Sequence, residues 1–543
     1  MEARGYEAAL MALSSLITKR KRGDDSNKGD NFYYMNRYLE ILTLEEPLSR
    51  LSVIHVAGTK GKGSTCAFSE SILKECGYRT ALFTSPHLVD VRERFRFNGV
   101  EVSEDLFLKY FWWCWDRLKD GCQDVPMPAY FRFLTLLAFK MFTAEKVDVA
   151  ILEVGLGGKY DGTNVIKAPD VCGISSLGFD HMEILGHTLP EIAGEKAGIF
   201  KVGVPAYTAP QREDALFVLK EKASDLDISL EVVKPLEARG IQLGLAGDHQ
   251  LINAALAVAL CNTWILKRGS KEHVAMVEIA KQDGGLPELY VKGLKNVHLS
   301  GRAQVVRDTL LDSCENVVSK SITFYLDGAH SPESMEACAK WFCEATRLAS
   351  PVNKSSPDSA GSNGALGIQA NSEAAQYELG IRKVLLFNCM PERDPHLLFP
   401  PLLNVCAQHG VQFHKALFVP GYSSYTFLGT NLSSATGISK PDTEPDLTWQ
   451  RSLLRTWESL LQEKKHAGSI GCDNANKDFL EEDKNFGCNS SLSSIPSSAV
   501  VPSLPLALEW LRKCVRQHPT MHIQVLVAGS LHLVGDVLRL LKR

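Results

Sequence analysis

Two kinds of residue in this chain are spaced for chemistry on anions. The first is a glycine-rich turn with a lysine and two hydroxyls, Gly58-Thr59-Lys60-Gly61-Lys62-Gly63-Ser64-Thr65, directly after the apolar run 51–56. Glycines let the backbone approach a phosphate chain closely, and N–H groups at a helix start point at anions. Lys62 adds a mobile positive charge, and Ser64 or Thr65 offers a hydroxyl to a magnesium ion accompanying a nucleotide. The strict nucleotide-binding pattern requires glycine at 56 and Ser or Thr at 63, where this chain has Val56 and Gly63. A turn that merely packs a helix on a strand is the alternative. Strand, glycine loop, lysine, hydroxyl and helix in that order favour a bound nucleotide phosphate. The second kind is a set of polar residues at the ends of apolar runs: Ser85-Pro86-His87, Glu153, and Asp180-His181.

The elements that must hold these residues follow from hydrophobic periodicity. Runs at 51–56, 78–85, 147–155, 170–177 and 203–208 read as strands. Between them lie helical patterns, such as 65–76 with Phe68, Ile72, Leu73 and Cys76 on one face. Such alternation predicts a mainly parallel sheet with helices on both faces, whose ligands gather at the carboxyl ends of the strands. A second α/β unit is expected from about 322, with strands at 322–326, 384–388, 415–419 and 523–528. The expected fold class is therefore α/β. An N-terminal P-loop ATPase-like domain with a parallel sheet (1–296) precedes a C-terminal Rossmann-like α/β domain (297–543). Two polar stretches, 350–375 and 426–502, interrupt the second domain. The first is expected to be disordered, and a helix is expected within the second at 449–461.

The composition bounds the rest. A length of 543 residues exceeds one core, and 45% hydrophobic with 22% charged residues is a globular balance. A net charge of -4 gives no reason to expect nucleic acid or an anionic membrane as partner. Fourteen cysteines, among them Cys66, Cys76, Cys172 and Cys261, show no zinc-ligand spacing and read as reduced thiols. No uninterrupted apolar run is long enough for a membrane span. The segment 1–21 carries Tyr6, Ala9, Leu10, Leu13, Leu16 and Ile17 at helical spacing, followed by a basic run. A mitochondrial presequence and a core helix both fit that pattern; the acidic Glu2 and Glu7 favour the core helix.

Taken in order, the motifs resemble those of the folylpolyglutamate synthases, members of the Mur-ligase superfamily. The resemblance rests on the glycine loop and on Ser85-Pro86-His87-Leu88 followed by Arg92 to Gly99. It continues through Glu153-Val154-Gly155-Leu156-Gly157-Gly158, Asp180-His181, and Glu195-Lys196-Ala197-Gly198-Ile199. Gly301-Arg302, Asp327-Gly328-Ala329-His330 and Gly529-Ser530-Leu531-His532 complete it. It implies ATP-dependent addition of L-glutamate to the γ-carboxylate of a tetrahydrofolate through an acyl phosphate. Arg132 stands where bacterial members that also make dihydrofolate often carry an acidic residue, so the chain resembles the eukaryotic, single-activity branch. Dihydrofolate synthase is the alternative enzyme, and a non-catalytic nucleotide switch a remote one.

The resemblance also implies site roles. Gly58 to Ser64 bind ATP, with Lys62 neutralising charge during phosphoryl transfer. Ser64, Ser85, Glu153 and His181 would hold Mg2+; a hydrogen-bonded strand end and a turn are the plain alternatives for Glu153 and Ser85, and a structural histidine for His181. Lys196 would act in catalysis as a carbamate or as an ordinary lysine paired with Glu195 or a phosphate. Asn253 would lie near the adenine or cap a helix. Arg302, Asp327 and His330 would contact ATP from the second domain. An aromatic folate pocket with basic edges is implied as well, with Tyr130, Phe131 and Phe133 for the pterin ring and Arg92, Arg94 or Arg132 for the glutamate tail; aromatics at this density would otherwise be core. A monovalent cation such as K+ is a further implied cofactor. A monomer is expected, in the cytosol, with mitochondrion or plastid as alternatives.

Overall fold

The computed structural model describes residues 4–17, 30–237, 241–308, 321–348, 380–421, 446–466, 498–518 and 521–541. The polar stretch 350–375 lies wholly outside the described residues, as do 426–445 and 467–497 of the second one. The chain divides into two compact units, Met1–Leu299 and Ser300–Arg543.

In the first unit the strands are β1 (Val53–Ala57), β2 (Thr80–Phe83), β3 (Phe95–Phe97), β4 (Val100–Glu101), β5 (Val149–Glu153), β6 (Val171–Ile174), β7 (Ala206–Thr208) and β8 (Leu230–Val232). They form an eight-stranded sheet in the order β4-β3-β2-β5-β1-β6-β7-β8. β2–β3 and β3–β4 pair antiparallel and the remaining pairs are parallel. β1 and β5 are fully buried because helices cover both faces. On one face Ala9, Leu13, Tyr38, Phe107, Phe111 and Phe139 share a core. On the other, Phe68, Ile72, Leu256, Leu260 and Trp264 do. Helix Tyr6–Ser15 is thus a core helix, with Ala9 and Leu13 buried.

Helix His249–Arg268 is long and, on average, apolar enough to cross a membrane, but polar residues such as Asn253 and Asn262 interrupt it and 61% of its apolar window is buried inside the protein. The phosphate-loop helix, Lys62–Glu75, starts three residues before the expected 65, so Lys62, Gly63 and Ser64 sit in its first turn. Apolar periodicity misses a first turn made of polar residues. The hairpin β3–β4 and strand β8 were not expected from the apolar runs because they are short and partly exposed. The hairpin does have a sequence signal, Asn98-Gly99, whose positive φ values of 50° and 79° suit a tight turn.

The second unit carries β9 (Gln304–Arg307), β10 (Ser321–Leu326), β11 (Ile381–Phe387), β12 (Lys415–Phe418), β13 (Ser498–Val500) and β14 (His522–Ala528). Their order is β13-β12-β11-β14-β10-β9, parallel except for the edge strand β9. The helix expected at 449–461 is present as Thr448–His466.

Candidate functional site

β1 lies between β5 and β6, with Val56 opposite Glu153 and Ala57 opposite Ile174. The carboxyl ends of these three strands therefore meet at the point where the strand order reverses, the usual place for a ligand in such a sheet. The glycine loop leaves β1 there. Its glycines are required by close approach: a Cβ on Gly58 would sit 1.9 Å from Ser175 Oγ, and one on Gly61 would sit 2.1 Å from Asn253 Oδ1. Gly61 also has φ +88°. The Thr59 and Lys60 N–H groups both donate to Ser176 O at 3.0 Å, and Thr59 Oγ1 donates to Gly178 O at 3.1 Å. Lys62 Nζ reaches back to Thr59 O at 3.4 Å.

Lys196 comes to the same loop from helix Leu189–Ala197, whose start is held by a Thr188–Glu191 capping box. Its Nζ donates to Gly58 O at 2.9 Å. Only 4% exposed, the amine is pushed down to about 7, first by burial and then by the Lys62 charge. Glu195, the alternative partner for Lys196 in the sequence, is a weaker influence than Lys62. Gly58, Thr59, Lys62, Gly155, Gly157, Asp180, His181 and Lys196 all line one small polar cleft of about 30 Å³. Lys62, His181 and Lys196, distant in sequence, are thereby brought together. A wider apolar groove of about 540 Å³, lined by Met276, Ile279 and Leu286 among others, contains none of the candidate residues.

Glu153, at the end of β5, is 4% exposed, and its Oε2 accepts the Ser85 N–H at 2.9 Å. A Cβ on Gly63 would lie 3.5 and 3.7 Å from the two Glu153 oxygens, so the carboxylate faces the helix turn that carries Ser64. A hydroxyl-and-carboxylate set of this kind suits a hard, partly hydrated cation such as magnesium. Among the described residues no group of three or more His, Cys, Asp and Glu side chains is arranged to hold a metal. Hydroxyls, water and nucleotide phosphates would have to complete the shell. His181 has φ +51° and leads into the short helix Met182–Leu185, with Nδ1 3.9 Å from Glu183 Oε1.

Asn253 lies within helix His249–Arg268, five residues after its cap Asp248, so it is not a capping residue. It is 3% exposed, donates to Gln250 Oε1 at 2.9 Å, and abuts Gly61.

The aromatic and basic candidates separate. Phe133 is a correction: fully buried, with its ring centroid 5.2 Å from Phe111 and 5.8 Å from Trp115, it belongs to the core. Tyr130, Phe131 and Arg132 are partly exposed at the start of helix Tyr130–Ala144, and Phe131 packs so tightly on Gly155 that a Cβ there would meet its ring at 2.4 Å. Arg92 is partly exposed and already paired. Its Nε and Nη2 donate to Asp90 at 3.1 and 3.0 Å, and its guanidinium lies 5.1 Å over the Tyr6 ring, so the loop itself engages it. Arg94 is 7% exposed, donates from Nε to His87 Nδ1 at 2.8 Å, and lies 5.9 Å over Tyr130. Burial pulls its guanidinium down, and Tyr130 and Glu153 partly offset that.

Several supporting residues were missed by sequence reasoning. Ser175 and Ser176 clamp the glycine loop. Buried Asp161 accepts from the Gly155 and Leu156 N–H groups at 3.1 and 3.0 Å and from Thr163, shaping the wall of the cleft. Burial pushes its carboxyl up. A signal for Asp161 was present, since Asp is a preferred residue just before a helical turn, here Gly162–Val165.

In the second unit Asp327 and His330 follow β10. Asp327 Oδ2 accepts from the Ala303 N–H at 2.9 Å, which places Arg302 beside that turn in sequence, and His330 Nδ1 donates to Gly328 O at 2.7 Å.

No protein-family model matches the chain. Over 545 residues, covering 99% of this chain and 88% of the relative, it is 52% identical to a folylpolyglutamate synthase of Arabidopsis thaliana. Over 599 residues, covering 99% and 92%, it is 37% identical to the mitochondrial folylpolyglutamate synthase of Homo sapiens. The fold is similar to that of Mycobacterium tuberculosis folylpolyglutamate synthase complexed with ADP and AMPPCP (TM-score 0.62, 20% identity, 99% of both chains). It is also similar to that of E. coli FolC in complex with DHPP and ADP (TM-score 0.61, 21% identity, 98% and 97%).

Proposed function

The chain belongs to the folylpolyglutamate synthase family of ATP-dependent ligases, and we propose that its cleft joins L-glutamate to the terminal γ-carboxylate of a tetrahydrofolate. The carrying observation is the convergence of Lys62, His181 and Lys196 on the glycine loop. A free carboxylate is a poor electrophile. One of its oxygens therefore attacks the γ-phosphorus of ATP, ADP leaves, and an acyl phosphate remains. The glutamate amine then attacks the acyl carbon, releasing phosphate and a proton. Bringing two anions together is the main obstacle, so positioning and positive charge supply most of the catalysis. Gly58 to Ser64 hold the phosphates, and Lys62 offsets the charge that develops. Asn253, Arg302, Asp327 and His330 are proposed to serve the nucleotide as well.

Mg2+ held by Ser64, Ser85, Glu153 and His181 would polarise phosphate oxygens; a monovalent cation such as K+ is a further proposed cofactor. An amine titrating near 7 is neutral often enough to attack carbon dioxide. Lys196 is therefore proposed to form a carbamate, with a new N–C bond and loss of a proton, which adds an anionic oxygen to the site. Phe131 and Tyr130, with Arg92, Arg94 and Arg132 at the edge, are proposed for the folate. A monomer is the proposed working unit. The cytosol is the proposed compartment, and imaging with a C-terminal fluorescent tag would contradict this by showing mitochondria or plastids. No membrane or nucleic-acid partner is proposed.

Mass spectrometry of products from ATP, magnesium, L-glutamate and tetrahydrofolate tests the reaction. A ladder of glutamate additions that Lys62→Ala abolishes is the expected result. Glutamylation of dihydropteroate alone would instead assign a dihydrofolate synthase.

A further inference from the structure

Glu70 has no part in the cleft, yet it is a carboxylate fully buried on the phosphate-loop helix, eight residues or about 12 Å beyond Lys62. Such a group costs folding energy unless it is paired. Its Oε1 accepts the Gly99 N–H at 3.0 Å, from the tight turn between β3 and β4. Its Oε2 lies 2.7 Å from Arg96 Nη2, on β3, in ion-pair contact without a well-aligned N–H. The Arg96 side chain is only 15% exposed, and its Nη1 also donates to His298 O at 3.2 Å. The segment that β2 and β3 enclose is 84–94, which contains Ser85 and Arg94. One buried pair therefore ties the helix that begins at the phosphate loop to the strand that closes the Ser85–Arg94 loop. An apolar pair of similar size would fill the same space, and burial of an ion pair is by itself a poor source of stability.

We propose that Glu70 and Arg96 are a positioning pair, a strut that sets the Ser85–Arg94 loop against the phosphate loop so that the acceptor carboxylate is presented to the nucleotide. This rests on the ligase reading above. Loss of the strut should harm use of the acceptor while leaving nucleotide binding at the first turn of the helix intact.

The test uses the full chain carrying Glu70→Met with Arg96→Met, an apolar replacement expected to fold, beside Arg96→Lys alone. The expected result is a tetrahydrofolate KM raised about tenfold, with ATP KM and ADP affinity within twofold of the starting protein, and a smaller acceptor defect in Arg96→Lys. An unchanged acceptor KM in the double variant would overturn the proposal, and so would equal shifts in both substrates. Hydrogen exchange at residues 85–101 provides a readout independent of substrate: faster exchange there, with helix Lys62–Glu75 unchanged, supports the strut, and unchanged exchange rejects it. If the unsubstituted protein forms no glutamate ladder, the ligase reading fails, and the exchange result alone decides whether the strut exists.

Discussion

At the carboxyl end of β1 the chain passes through two glycines into a helix, and two lysines crowd the loop, one of them buried on a backbone carbonyl. At the carboxyl end of β10 the chain turns through Asp327-Gly328-Ala329-His330. There the polar groups bond to backbone: Asp327 to Ala303, His330 to Gly328, and Gly529 N to Ala329 O at 2.8 Å. The two turns stand at corresponding ends of two mostly parallel sheets. The first leaves like charges in conflict, and such a site gains from binding an anion; the second shapes backbone and resolves its polar groups internally. A shifted group is not enough to mark chemistry, however. His55, in the middle of β1, is pushed down to about 3 by burial, yet it bonds Thr163 Oγ1 at 2.8 Å inside the core. The distinction is access: Lys196 lines a cleft and His55 does not.

This contrast can be broken most directly at Lys62. Lys62→Ala should lower kcat about 10³-fold with an unchanged thermal midpoint, because it removes charge stabilisation without touching the core. Near-normal turnover would mean that the first turn is not the phosphate site. Lys196→Arg should cost about 10–100-fold, since a guanidinium stays cationic and cannot become a carbamate. In the unsubstituted protein kcat should fall as pH drops through about 7 and the amine protonates, and Lys196→Arg should flatten that limb of the profile.

The stability consequence has a definite sign. Between about 7 and the ordinary lysine value of 10.5 the folded protein holds fewer protons than the unfolded chain, so this group makes stability rise with pH across that window. Melting curves of Lys196→Met should lack that rise. Gly61→Ala comes next. The added methyl meets Asn253 Oδ1 at a φ unsuited to alanine, and ADP affinity measured by calorimetry should weaken about tenfold. The smallest effect is expected in the second unit. Asp327→Asn keeps an acceptor for the Ala303 N–H, and its ATP KM should rise no more than about fivefold, the worth of one hydrogen bond. A loss as large as that of Lys62→Ala would erase the distinction between the two turns.

Much of this was legible in the chain itself. The apolar runs at 51–56, 147–155 and 170–177 became β1, β5 and β6, because a strand buried on both faces needs a continuous apolar stretch. The glycine loop, its lysine and its following helix are equally local, since close approach and positive φ demand glycine wherever they occur. Short or half-exposed strands such as β4, β8 and β9 leave weaker traces, and they were missed.

Other features depend on residues far apart in sequence. Phe131 and Phe133 are the same residue type two positions apart, and only helix packing decided that one meets Gly155 at the cleft wall and the other fills the core. Arg92 and Arg94 differ in the same way: Asp90 and Tyr6 engage the first, while burial near Glu153 sets the second. The amine of Lys196 is ordinary until helix Leu189–Ala197 places it against Gly58 and beside Lys62. The sequence by itself determined where the buried strands lie and which loop can approach a phosphate, because those depend on neighbours along the chain. Tertiary structure alone decided which charges meet and lose their water, because the order β5-β1-β6 joins segments about a hundred residues apart.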